Sequence, residues 1–376
     1  MYFDLNDEQQ QIKETAREFL ASRYKPERIR ELIETDLGFE ESDWKEMVEL
    51  GWPGLALPEE HGGQGLGIVE LAAVFEEMGY ALAPSPLLSN TVAGLALALC
   101  GSEDQKAEFL APLAAGEKRG TVALIDAGSA GTIGEFEMEA QAGDGGAVLD
   151  GEKVMVLDAD AADFLLVATS EGNRHIVEGD QSGVSLLKEP SIDPTRRVYS
   201  VRFEGVEVPA ERTLPAERED YFPVLQRVCV AVAAELTGIA QRTMEMAVEY
   251  AKERQQFGRP IGSYQAVSHR CAQMLLETES ARSATFYAAW AADASPEELP
   301  LAASMAKAYA SDAGWRVAGE SLQVHGGIGF TWEHDLHLWL KRARVDAAIF
   351  GDAHWHRERV ADAILTQAAE REPAVA

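Results

Sequence analysis

The stretch Tyr250–Ala251–Lys252–Glu253–Arg254–Gln255–Gln256–Phe257–Gly258 closes a long helical pattern. Upstream of it, Val228, Val232, Leu236 and Ile239 recur at helical spacing and form one apolar stripe, on a helix running to Lys252. Pro260 and Gly262 break that pattern. Further helical patterns follow over 264–291, 300–323 and 333–365, with short links between them. Four long helices so connected predict a bundle.

Toward the N-terminus the period changes. Between 119 and 212, runs rich in β-formers such as Thr121–Ile125, Phe164–Ala168 and Val198–Phe203 alternate with Gly/Asp clusters. They predict antiparallel strands in a small barrel or sandwich, closed at Pro209. Gly143–Asp144–Gly145–Gly146 reads as a hairpin turn, because no lysine and helix follow it as in a phosphate loop. From residue 6 to about 118 the pattern is helical again. Asn6 with Gln9 has the form of a capping box, and Ile12, Ala16 and Phe19/Leu20 share a face. Ser42 is a candidate cap for a short helix ending at Gly51, and helices are expected over 69–78, 89–99 and 104–113. The predicted class is α+β in three stretches: an all-α domain over 1–118, a β domain over 119–215 and a helical bundle over 216–370, with a tail at 371–376.

Composition narrows the function. The 376 residues carry 33 Lys and Arg against 63 Asp and Glu, a formal net charge of −30. Such a surface excludes a sequence-independent grip on nucleic acid, which needs clustered cations. No uninterrupted apolar run is long enough for membrane insertion. Cys100, Cys229 and Cys271 are too few and scattered for a disulfide framework, and Cys229 and Cys271 fall inside apolar helical patterns as small core residues. The opening Met1–Tyr2–Phe3–Asp4 lacks a basic leader, so a cytoplasmic setting is expected. His334, His337, His354 and His356 have no accompanying ligand set, and no metal is expected.

The order helical, β, bundle resembles the acyl-CoA dehydrogenase family over nearly the whole chain. The resemblance rests on Gly54–Leu55, Pro58–Glu59–Glu60–His61–Gly62–Gly63–Gln64–Gly65–Leu66–Gly67, the 250–258 stretch and Gln323–Val324–His325–Gly326–Gly327–Ile328–Gly329–Phe330. It implies FAD, a CoA thioester and a carboxylate base against the thioester's α-proton. In the family the Arg-x-x-Phe-Gly and Gln-x-x-Gly-Gly segments reach across a subunit interface to a neighbour's FAD. The resemblance therefore implies that Arg254 meets the diphosphate, Phe257 packs on the cofactor, Gln265 and Gln323 hydrogen-bond it, and Gly326 and Gly327 let backbone amides approach.

The other half of the family's site departs from its pattern. The flavin strand motif reads Leu124–Ile125–Asp126–Ala127–Gly128–Ser129–Ala130–Gly131, and in the second strand Met155 replaces a tryptophan and Leu157 a threonine. A leucine has no donor to offer the flavin edge. The usual base position holds Phe350, before Gly351, and the minority position falls near Val228, so neither supplies a carboxylate. Asp352 lies two residues from the usual place, and Glu235 lies in the apolar run 228–237, where an unpaired charge is costly. Glu235 is either an atypical base or a structural carboxylate paired with an arginine. Details of 326–337 and 350–352 resemble a bacterial branch in which some members form heterotetramers of two unlike chains acting on CoA thioesters, including those of steroid side chains. Three readings follow: a subunit completing a homologous partner's FAD site, a self-sufficient homo-oligomeric dehydrogenase using Glu235, or a non-redox acyl-CoA-binding protein.

Overall fold

The computed structural model describes residues 5–129, 136–143, 145–215 and 218–371. Ala130–Gly131 of the strand motif, Asp144 of the turn and residues 372–376 of the tail lie outside them.

The N-terminal third is helical: α1 (Asp7–Arg23), α2 (Pro26–Ile33), α3 (Glu41–Glu49), α4 (Ile68–Ala81), α5 (Leu87–Cys100) and the short α6 (Glu103–Gln105) and α7 (Ala111–Ala114). The capping box of α1 forms in both directions: the Gln9 amide donates to Asn6 Oδ1 at 2.9 Å, and the Asn6 amide donates to Gln9 Oε1 at 3.0 Å. Helix α2 is absent from the sequence reading. Its two buried residues, Ile29 and Leu32, make too short a stripe to register as a period. Helix α3 begins before Ser42, with Glu40 in the cap position and no side-chain cap bond, and Gly51 ends it in a left-handed turn (φ 75°).

The middle stretch holds β1 (Gly120–Ala123), β2 (Ile125–Asp126), β3 (Ala140–Gly143), β4 (Gly146–Leu157), β5 (Phe164–Ala168), β6 (Arg174–Glu178), β7 (Val184–Lys188) and β8 (Val198–Pro209). They form two sheets, ordered β1-β5-β6 and β2-β4-β8-β7, with β3 added on β4. Antiparallel pairing holds except at one place: β1 runs parallel to β5, with Gly120 opposite Phe164. The chain between them makes the long excursion through β2–β4, which supplies the crossover that parallel pairing needs. Leu149, Leu165, Val167, Val177, Val201, Phe203 and Val206 fill the core. Gly143 pairs with Gly146 where β3 and β4 meet.

The C-terminal stretch contains α8 (Phe222–Glu253), a hairpin of β9 (Gln255–Gln256) and β10 (Arg259–Pro260), α9 (Gln265–Ala294), α10 (Leu299–His325), α11 (Leu336–Ala348) and α12 (Ala353–Arg371). The helix expected over 333–365 is therefore two. Phe350 and Gly351 both have positive φ (55° and 96°), and Asp352 Oδ1 accepts the Trp355 amide at 2.8 Å. Gly351–Asp352 is thus a stop followed by an N-cap, which the apolar periodicity running through it concealed. By length and composition α8 carries an apolar window long enough to cross a membrane, but 72% of that window is buried inside the protein.

By internal contacts the chain divides into two compact units, 1–26 with 68–83 and 229–376, and 27–67 with 84–228. In the first, α4 crosses α8 at two glycines. A Cβ on Gly79 would lie 2.0 Å from the Glu235 carbonyl, and one on Gly238 would lie 1.8 Å from that of Glu76, so only glycine permits the approach. Glu76 and Glu77, buried on α4, are met by Lys13, Arg282 and Arg17.

Candidate cofactor-binding site

The bundle brings the outward-facing motif residues to one end. The C-terminal halves of α8 and α10 and the first turns of α9 pack through Met244, Ala247, Ala251, Met274, Val317 and Val324. The stack of Tyr250 on His325, ring centroids 4.6 Å apart, ties the ends of α8 and α10 together. From this end projects the β9–β10 hairpin, whose tip residues Phe257 and Gly258 both adopt positive φ (50° and 80°). Phe257 is 92% exposed and meets the Tyr264 ring edge-on. Arg254 is exposed, and its guanidinium has no side-chain partner among the described residues. Its backbone is fixed, since its amide donates to Tyr250 O and its carbonyl accepts the Ile261 amide, each at 2.8 Å. Gln265 opens α9, a 30-residue helix whose N-terminal amides carry partial positive charge. Gln323 is exposed on the last turn of α10. After it Gly326 turns left-handed (φ 64°), and an added Cβ on Gly326 or Gly327 would meet nothing within 4 Å. Phe330 and Trp332 complete the exposed apolar rim at 79% and 70%.

The edge of the β region is closed upon itself. Lys153, fully buried, donates to Asp126 Oδ1 at 2.7 Å and to the Leu124 carbonyl at 3.2 Å. Burial pulls its ammonium below the ordinary lysine range, and the Asp126 carboxylate opposes that shift. The other Asp126 oxygen accepts the Glu137 amide at 2.8 Å. Beside this pair the Arg174 guanidinium is sandwiched, 4.5 Å from the Phe136 centroid and 4.0 Å from that of Tyr221. Arg174 Nη1 donates to the Gly172 carbonyl at 2.7 Å. What remains between these groups and Val92, Ala96, Val122 and Leu166 is about 20 Å³. That is room for about one water molecule. Met155 sits at a bulge in β4 with φ 57° and is half exposed, while Leu157 is buried.

Phe350, which the family resemblance sets at the usual base position, stands on a firmly held turn. The Phe350 carbonyl faces His356 Nε2 at 3.1 Å and Cys229 Sγ at 3.6 Å, and the buried Lys307 ammonium donates to the Gly351 carbonyl at 2.9 Å and to Ser311 Oγ at 3.1 Å. Burial lowers Lys307 to about 8 and His356 to about 4, and raises the Cys229 thiol to about 11. Glu235 is paired with an arginine: Arg342 Nη1 donates to its Oε1 at 2.7 Å, and both side chains are buried. Asp352 is the cap of α12. Cys271 is half-buried rather than a core residue, lying against the edge of the bundle cluster. Among the described residues no three His, Cys, Asp or Glu side chains are grouped to hold a metal ion.

Residues 6–117 match the model of the acyl-CoA dehydrogenase N-terminal domain, and residues 225–365 that of the C-terminal domain. The chain belongs to the acyl-CoA dehydrogenase family. It is 32% identical to acyl-CoA dehydrogenase IpdE2 of Mycolicibacterium smegmatis, over 92% of this chain and 96% of the relative. Among solved structures it is similar to the Tcur3481–Tcur3483 steroid ACAD, with a TM-score of 0.88 and 30% identity over 96% and 99% of the two chains. It is also similar to the ChsE4–ChsE5 complex of Mycobacterium tuberculosis, with a TM-score of 0.88 and 27% identity over the full length of both chains.

Set against the family's FAD, the two halves answer differently. The bundle end fits an anionic dinucleotide: a free guanidinium for phosphate oxygens, a helix N-terminus, open glycine amides and an exposed ring. Among the described residues, the gap bounded by Phe136, Arg174, Tyr221 and Val92 is too small for a tricyclic ring or an acyl chain. Sequence reasoning named the residues that the bundle brings to one end and the altered strand positions. It missed the filling residues, which lie far apart in the chain and carry no motif.

Proposed function

We propose that this chain is a subunit of an FAD-dependent acyl-CoA dehydrogenase that completes the FAD site of a homologous partner chain in the cytoplasm, acting on a CoA thioester whose base and flavin pocket the partner provides. The observation that carries this reading is the Arg174 sandwich between Phe136 and Tyr221, which leaves about 20 Å³ where a self-sufficient subunit needs a cavity. The flavin, when bound, supplies the hydride acceptor for α,β-dehydrogenation. This chain's part is binding and orientation: Arg254 neutralises phosphate charge, Phe257 covers the cofactor with its exposed ring, Gln265 and Gln323 offer amide groups, and Gly326 and Gly327 present backbone N–H groups without side-chain obstruction. The relatives in two-component complexes support a hetero-oligomer. The ion pair of Glu235 with Arg342 counts against a self-sufficient enzyme using Glu235, because that carboxylate is already committed to a buried guanidinium.

The test is a visible absorption spectrum of the chain purified alone and after co-expression with a homologous dehydrogenase chain. The chain alone is expected to be colourless and the mixed complex yellow, with Arg254→Ala stripping flavin from the complex. A chain that purifies alone with stoichiometric FAD and bleaches on adding an acyl-CoA refutes the proposal.

A further inference from the structure

A separate concavity lies wholly within the helical unit, between the end of α1, the end of α4, the middle of α8 and the start of α11, and encloses about 250 Å³. Its walls are apolar. Leu20 and the Trp339 ring contribute carbon surface, and the Trp339 indole N–H is already committed to the Tyr80 carbonyl at 3.1 Å. Its charge is of one sign in excess. Arg17, Lys25 and Arg242 line it, and Glu77 is the lining's carboxylate, spent on Arg17 through Nη2–Oε1 at 2.9 Å. The Tyr80 hydroxyl donates to Glu245 at 2.6 Å, so the phenol presents its ring face to the cavity's cations. Arg17 sits 4.0 Å and Arg242 5.5 Å from that ring's centroid.

The half-buried Arg242 guanidinium makes no ion pair or side-chain hydrogen bond among the described residues, and Lys25, exposed at the rim, makes none either. That is unexpected in a chain with 63 acidic and 33 basic residues, where carboxylates are plentiful. A half-buried guanidinium beside apolar walls favours a counter-charge, and the carboxylates beside it, Glu77 and Glu245, are engaged by Arg17 and by the Tyr80 hydroxyl. We propose that this cavity binds a small organic anion, a carboxylate or phosphate group on an aromatic or aliphatic body. The body lies on Trp339 and Leu20, and the anionic head meets Arg242 and Lys25. The site shares no residue with the cofactor anchors, so its fate is independent of the subunit role.

The experiment is isothermal titration calorimetry and ligand-observed NMR on the full chain with 3-phenylpropionate, phenyl phosphate and the neutral 3-phenylpropanamide. Saturable binding of at least one anion is expected, with the amide at least about tenfold weaker. The preferred anion identifies the head group. Arg242→Ala, and the size-conserving Arg242→Gln should the first fail to fold, are each expected to weaken the anion by about tenfold. Equal binding of the amide, undiminished binding in a folded Arg242 variant, or no saturable binding of either anion tighter than about 1 mM overturns the proposal.

Discussion

Replacing Arg342 by alanine leaves the Glu235 carboxylate buried without its guanidinium. The two groups meet at 2.7 Å with side-chain exposures of 2% and 3%, so solvent cannot substitute for the lost partner. Breaking a buried pair from one side costs about 3–5 kcal/mol. With about 2–4 °C of melting temperature per kcal/mol for units of this size, Arg342→Ala should melt roughly 6–20 °C below the wild type. The double variant Glu235→Leu with Arg342→Leu removes both charges and replaces them with carbon. It should recover most of that loss, because taking two ions out of water is itself costly. Thermal melts followed by circular dichroism at neutral pH, on wild type, both single variants and the double variant, close the cycle. A fall of less than about 2 °C in Arg342→Ala, or a double variant as unstable as the two singles added, refutes the reading of Glu235 as a structural carboxylate.

Three further outcomes are expected. Lys307, lowered to about 8 by burial from an ordinary 10.5, is protonated less readily in the folded chain than in the unfolded one. Wild-type stability measured against Lys307→Met should therefore rise with pH between about 8 and 10.5, and a flat difference would contradict the burial argument. His175 and His356 are both held neutral by burial, each lowered to about 4. The unfolded chain takes up their protons first, so stability should decline as pH falls from about 6.5 toward 4, less steeply in His356→Gln, as read by denaturant midpoints along that range. Phe257→Ser removes a ring that is 92% exposed, so its melting temperature should match the wild type within error while its flavin-bearing complex elutes later in gel filtration. Unchanged elution would show that the ring covers nothing.

The architecture was legible because it rests on local patterns. The Asn6–Gln9 capping box, the 228–239 stripe and the breakers Pro260 and Gly262 each state their structure within a few residues. The residues expected to meet a cofactor are likewise short linear motifs, and the bundle gathers them at one end. What was lost was long-range. Glu235 and Arg342 are 107 positions apart, and Phe136, Arg174 and Tyr221 meet only once the sheets and the start of α8 are formed. The break between α11 and α12 is hidden differently: Gly351 and Asp352 carry a stop and a cap, while the apolar periodicity on either side argues for continuity. Parallel pairing of β1 with β5 leaves no composition signature in strands of four and five residues.

The turn at 349–352 has one more implication. Its hydrogen bonds run to main-chain acceptors, with His356 and Cys229 closing on the Phe350 carbonyl and Lys307 on that of Gly351, and none of them uses the Phe350 side chain. A residue there is displayed on a pedestal that does not depend on what stands upon it. The side chain at 350 can therefore be exchanged while these hydrogen bonds of the surrounding polypeptide stay available.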